Sequence, residues 1–271
     1  MTVPSESTGP GEGKIRVTPE RLPELIHSQS LEELKAAAAS SYLSEDMALQ
    51  LLSRRELHSA VLEALSRNGA MMRHRDVLLA LVAHPKAPRH VSLPISRHLY
   101  TFELMKLALM PTLAGDLRVA IEENIISRLE SVTSGERLAL ARSGSGAVAA
   151  ALLSDPELRV VTAALNNPRM TEGLVIKALM DDNAPAHLTL SLCKHEKWSL
   201  RREIRLALLR NRHTPLAPAL QFAESLPPVT LEDILRDSEL DPQIKTYLAS
   251  LARRRAQSAR QNRAARGQSA G

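Results

Sequence analysis

One cysteine and one tryptophan occur in 271 residues, and Phe, Tyr and Trp together make up only 2% of the chain. Cys193 has no second cysteine to pair with, which excludes an internal disulfide and a cysteine-based zinc site. Strands of sandwiches and barrels draw on aromatic and β-branched residues, so the scarcity of rings speaks against an all-β fold. Long apolar runs are missing too, and stretches such as Ala147 to Leu153 are far too short to cross a bilayer. The first residues, MTVPSESTGPGEGKIRV, lack the apolar core of a secretory signal. The expectation is a cytoplasmic protein.

Signatures of catalysis are equally scarce. Gly9, Gly11 and Gly13 lie in a polar leader with no strand before them, so they do not form a phosphate loop. Ser143-Gly144-Ser145-Gly146 resembles an anion-binding nest, but it falls at a junction between helices and reads as a loop. No two histidines are four apart, and Cys193 and His195, two apart on a helix, diverge. His187 and Glu196 could join them only through unusual loop geometry. No catalytic, cofactor-binding or metal-binding residue is assigned, and no cofactor is expected.

Charge is unevenly spread. The formal net charge is +5, yet Arg253, Arg254, Arg255, Arg260, Arg263 and Arg266 lie in the last nineteen residues without an acid among them. Removing those six leaves −1 for residues 1–252. The high isoelectric point thus belongs to a tail and not to the body. Residues 1–18 read as a disordered leader, 19–252 as one helical domain, and 253–271 as a basic tail, disordered beyond the end of its helix.

What the body does contain is helix. Leu, Ala, Glu and Arg dominate, apolar residues recur at three- and four-residue intervals, and Pro or Gly interrupts often. The segments DVLLALVAHPKAP, RVVTAALNNPRMT and EIRLALLRNRHTP align on a polar residue that ends each helix: His84, Asn167 and Asn211. Seven positions earlier stand Val77, Val160 and Ile204, and four earlier Ala80, Ala163 and Ala207. Pro88, Thr171 and Pro215 follow the anchor by four and open the next helix. The same template finds Asn124 and, more weakly, Ser41, which spaces the anchors 43, 40, 43 and 44 residues apart. Secondary matches end near Ser143 and His195 and read as the partner helices. Positions −7, −4 and −3 share one helix face and are expected to be buried, and the alanine lets a neighbouring helix approach closely. Ala163→Leu is therefore expected to overpack a helix interface. Asn or His at the anchor is expected to adopt the left-handed conformation that ends a helix, and Thr214 to cap the helix after it.

Two helices repeating every 40 to 47 residues or so is the period of HEAT and armadillo arrays. The stretch SDPELRVVTAALNNPRMTEGLVIKALMDD, Ser154 to Asp182, resembles the leucine-rich repeat variant, and the wider spacing resembles HEAT-like repeats. The resemblance implies an all-α fold: a right-handed α-solenoid, an armadillo/HEAT-like superhelix of about five helical pairs. It also implies a binding scaffold, since such arrays mostly serve as one, although a few HEAT-like proteins are DNA glycosylases acting on alkylated bases.

The surface expected to meet a partner is basic. Lys194, Lys197, Arg201, Arg202, Arg205, Arg210 and Arg212 cluster against only Glu196 and Glu203. On a continuous helix Trp198, Arg201, Arg202 and Arg205 would form one stripe, and Leu200, Ile204, Ala207 and Leu208 the core stripe on another side. Trp198 beside guanidinium groups would suit an acidic peptide or a phosphate backbone. The leading reading is a non-enzymatic protein–protein scaffold whose partner presents an acidic surface or segment. The alternatives are a nucleic-acid-binding solenoid that uses this patch with the tail and, third, a glycosylase with Trp198 against Glu196 or Glu203.

Overall fold

The computed structural model describes residues 15–268. Among these residues there are seventeen α-helices, two short 3₁₀ turns and no strand, so the fold is all-α. The chain divides into two compact units, Met1–Ser127 and Arg128–Gly271. Most of the leader lies outside the described residues, but Val17 already packs on the core of the first unit.

In the first unit the helices are α1 (Leu22–Leu25), α2 (Leu31–Ala39), α3 (Glu45–Leu52), α4 (Ser59–Ser66), α5 (Arg75–Ala83), α6 (Arg89–Ser96), α7 (Thr101–Ala108) and α8 (Gly115–Ser127). A 3₁₀ turn, Met71–Arg73, separates α4 from α5. Each helix is too short to be stable alone, so its persistence rests on the apolar face it buries. Helix α2 packs on α4, α3 on α5, and α6 on α8, while α5 packs on α6 and α7 on α8. Helices two apart in the chain thus lie against one another at several places in the unit. Ile26, Val61, Leu62, Leu65, Val77 and Leu81 belong to its buried core.

The second unit repeats the scheme with α9 (Ser134–Ser143), α10 (Gly146–Ala151), α11 (Leu158–Leu165), α12 (Glu172–Leu179), α13 (Ala186–Lys194), α14 (Arg202–Leu208), α15 (Leu216–Glu224), α16 (Pro228–Arg236) and α17 (Pro242–Gln268). Its second 3₁₀ turn is Leu152–Ser154. Helix α11 lies on α9 and α13, α12 on α10 and α14, and α17 on α15 and α16. Short polar signals set the boundaries. Thr133 and Glu136 form a capping box on α9, and the Thr171 hydroxyl accepts the Leu174 N–H to open α12. Pro88 and Pro215 stand at the N-caps of α6 and α15, as the template places them.

Two expectations need correction. No non-glycine residue has positive φ among the described residues, so the anchors do not end their helices through the left-handed conformation. His84, for instance, is extended, with φ −67° and ψ 128°. Thr214 does not cap α15: its hydroxyl donates to the Leu208 carbonyl at 2.6 Å, and Pro215 takes the N-cap position. Helix α17 is described through Gln268, and Ala, Arg and Gln are strong helix formers even where no apolar face asks for burial. Residues 269–271 lie outside the described residues.

The core columns are closer to expectation. Val77, Val160 and Ile204 are fully buried, as are Leu81, Ala164 and Leu208 at the −3 position. Ala163 is only half-buried, and full burial falls on its neighbour Ala164. Ala164→Leu is therefore the substitution that should overpack α11, lowering stability by about 1–3 kcal/mol in urea unfolding. Wild-type stability would show that the α11 interface has room.

Candidate functional site

The polar residues singled out by the repeat do meet partners, but those partners are backbone. The last carbonyls of any helix lack intrahelical donors and must find them elsewhere. The Asn167 amide, 1% exposed, donates to the carbonyls of Ala141 and Gly144 at the end of α9, at 2.8 and 3.2 Å. Its amide oxygen accepts the Arg169 N–H at 2.7 Å. Asn211 repeats this, donating to the Leu179 carbonyl ending α12 at 3.0 Å and accepting the His213 N–H at 2.9 Å. His84 bonds the Arg54 carbonyl through Nε2 and takes the Lys86 N–H on Nδ1. Ser238 donates to Leu209 and accepts from Leu240.

His84, Asn167, Asn211 and Ser238 therefore each do two jobs: the side chain folds its own turn, and it ties that turn to the end of the helix two earlier. Asn, His and Ser carry both a donor and an acceptor, which explains why these types recur. Asn124 reaches Ser96 at the end of α6. Reading along the repeat missed further ties. Asn68 donates to Ala38 and Ser40 at the end of α2, Arg54 to Ile26 and Ser28 after α1, and Arg255 to Ala223, Glu224 and Leu226 at the end of α15. The signal that could have found them is a donor-bearing side chain about thirty residues beyond each helix end. The weakest anchor shifts by one: Ser40, not Ser41, ends α2 and accepts the Tyr42 N–H.

Trp198 belongs to the same system. It is 2% exposed, and its indole N–H donates to the Leu165 carbonyl ending α11 at 2.8 Å. Its neighbour His195 holds the acceptor half of the anchor role, taking the Lys197 and Trp198 N–H groups on Nδ1. The buried His195 Nε2 has no partner, because the carbonyl it would have tied is held by the indole. Burial keeps the imidazole below its ordinary pKa, with Lys197 adding to the shift and Glu196 opposing it.

The basic patch is thus rearranged. Residues 196–200 are turn and α14 begins only at Arg202, so Trp198, Arg201, Arg202 and Arg205 do not form a helical stripe. Trp198 lies inside and is removed from the candidate surface. Leu200, expected in the core, is 69% exposed, whereas Ile204, Ala207 and Leu208 are buried. Arg205 donates to the Ser199 carbonyl at 2.6 Å and lies 5.5 Å from the Phe222 ring centre. Arg212 donates to the Asp182 carbonyl, and Arg210 is half-buried. Lys194, Lys197, Arg201 and Arg202 remain on the surface, Lys197 with its ammonium 4.1 Å from the Trp198 ring centre. In the tail Arg253 and Arg254 are exposed and Arg255 is a tie; the side chains of Arg260, Arg263 and Arg266 lie outside the described ones.

The Ser-Gly-Ser-Gly run and His187 have structural roles as well. A Cβ on Gly144 would meet the Leu140 carbonyl oxygen at 2.5 Å, and one on Gly146 the Arg169 carbonyl oxygen at 2.7 Å. These glycines allow close backbone approach at the α9–α10 junction. His187 bonds the Asp155 carbonyl at 2.9 Å. Asp155, almost fully buried, is held by Arg137 at 2.7 Å, and Arg137 also reaches Glu157 at 3.2 Å. Among the described residues no three of His, Cys, Asp or Glu gather as metal ligands, and no helix is long and apolar enough to cross a membrane.

Burial pushes the Cys193 thiol up to about 11. Alkylation of native protein at mildly alkaline pH should therefore be on the order of 100-fold slower than in denaturant. Equal rates would show the thiol to be open.

Compared with family models, with curated proteins and with solved structures, the chain matches none.

Proposed function

We propose that the protein is a cytoplasmic, non-enzymatic scaffold whose units are built of HEAT-like helical pairs stacked as an α-solenoid and which binds another protein. The observation that carries this reading is the use of the repeated polar residues. Asn68, His84, Asn124, Asn167, Trp198, Asn211 and Ser238 all bond helix-end carbonyls, which rigidifies a stack of short helices and leaves its faces for binding. The glycosylase reading loses its support, because a ring buried and hydrogen-bonded like Trp198 has no face for a flipped base. Purification of the tagged full chain under nuclease treatment should recover a protein partner in stoichiometric amount. Recovery of nucleic acid alone, or of nothing after mild cross-linking, would contradict the scaffold.

A second reading, nucleic-acid binding, is favoured by one observation: the exposed Arg253 and Arg254 lie on a helix that runs on to Gln268. Retention on duplex DNA that falls steeply with salt would support it. No retention at low salt would exclude it.

A further inference from the structure

The C-terminal ends of α9, α11 and α13 lie side by side in the second unit. Asn167, just past α11, bonds the Ala141 and Gly144 carbonyls at the end of α9, and Trp198, just past α13, bonds the Leu165 carbonyl at the end of α11. Arg169 adds a further link, its guanidinium donating to the Ser143 carbonyl at 3.3 Å. The turns after these three helices therefore form one continuous edge.

That edge is basic. Arg142 and Lys194 stand in the last turns of α9 and α13, Arg169 and Lys197 in the turns after α11 and α13, and Arg201 and Arg202 at the start of α14; all six are exposed. Glu172, Glu196 and Glu203 are the acids among them. Of the six cations, Arg202 alone has a described carboxylate within 4 Å, that of Glu203 at 3.9 Å.

Helix C-termini favour cations through the helix dipole, so basic ends alone would say little. The neighbouring ends show that the dipole is not the whole cause. Those of α12, α14 and α16 are joined in the same way, by Asn211 and Ser238, yet carry Asp181, Asp182, Asp237 and Glu239 against Arg210 and Arg212. The excess of positive charge is particular to the α9–α11–α13 edge.

Charge and spacing select its occupant. Packed helices stand about 8–10 Å apart, so the edge offers positive charge at steps of about that length. An extended polypeptide advances about 3.3 Å per residue, so carboxylates three residues apart match those steps. A nucleic-acid strand fits less well. The three glutamates would oppose its unbroken row of phosphates, and with Trp198 buried the edge offers no aromatic ring on which a base could stack.

We propose that this edge binds an extended acidic segment of a partner protein, whose carboxylates meet Arg142, Arg169 and the Lys194–Lys197 pair in turn. This rests on the scaffold reading and gives it a site.

The test is selection of a random peptide library displayed on phage against the full chain, followed by binding of the enriched peptides to variants. Arg142→Glu/Lys194→Glu reverses the edge, Arg142→Gln/Lys194→Gln neutralises it, and Arg67→Glu/Arg73→Glu makes the same charge change on exposed residues of the first unit. Circular dichroism checks that each variant is folded. Enriched peptides should carry Asp or Glu at intervals of about three residues, and should bind the reversed edge about 10-fold more weakly or worse. The neutralised edge should fall between, and the first-unit variant should bind like wild type. Peptides that bind the reversed edge and wild type equally, peptides without acids, or no enrichment at all would overturn the proposal. An oligothymidylate held by wild type and lost by the reversed edge, with no acidic peptide enriched, would assign the edge to nucleic acid and overturn it too. The scaffold reading is scored separately: a protein partner recovered equally by wild type and the reversed edge leaves it standing while the edge falls, and no protein partner with wild type counts against the scaffold itself.

Discussion

Trp198→Ala should lower the unfolding free energy by about 3–5 kcal/mol, the range for truncating a buried aromatic side chain. The ring is among the largest fully buried side chains of the protein, and its loss would leave both a cavity and the Leu165 carbonyl without its donor. Trp198→Phe separates the two effects. It keeps most of the apolar volume and removes only the N–H···O=C bond, so its cost should be nearer 1 kcal/mol. Urea unfolding followed by far-UV circular dichroism reads both. An exposed contact residue would behave otherwise: either substitution would change stability by less than about 0.5 kcal/mol.

Asn167→Asp should be the second most damaging change, at about 3–5 kcal/mol at neutral pH, although it alters one atom of the side chain. The acceptor half survives, since a carboxylate can still take the Arg169 N–H. The donor half is lost, and a negative charge faces the Ala141 and Gly144 carbonyls in a site 1% exposed. The introduced carboxyl would have its folded-state pKa raised by burial and by those oxygens. A raised folded pKa gives stability that is present below the unfolded value, near 4, and lost as pH rises through the folded value. Acidification should therefore narrow the gap between this variant and wild type. A gap independent of pH would mean that no buried carbonyl faces position 167.

These two residues also mark how far the sequence could be read. The period was legible, because His84, Asn124, Asn167 and Asn211 recur at nearly equal intervals and Pro88, Thr171 and Pro215 open the helices after three of them. Their task was not. A left-handed helix end is a local idea, argued from one residue and its neighbours, whereas the bond that Asn167 makes lies 26 residues back along the chain. Trp198 was misplaced for a related reason. A helical wheel drawn through 198–205 assumes a continuous helix, and the turn at 196–200 breaks it. The turn carries the ring inward and swings Leu200 out to 69% exposure. The candidate surface shrank accordingly: Lys194, Lys197, Arg201 and Arg202 are exposed, while Arg205 and Arg212 hold backbone carbonyls.

The tail's Ala, Arg and Gln carry helix propensity that needs no core, and α17 runs from Pro242 to Gln268. Arg255 fastens its inner part to the end of α15.

The polar side chains of the recurring anchors bond helix ends from within. Because the chain has one tryptophan, a single indole N–H resonance reports on one such tie without ambiguity. Its hydrogen exchange in native protein is the most direct measurement. Its protection should equal that of the core amides of α11, with exchange only through global unfolding. Exchange at the rate of a free indole would contradict it.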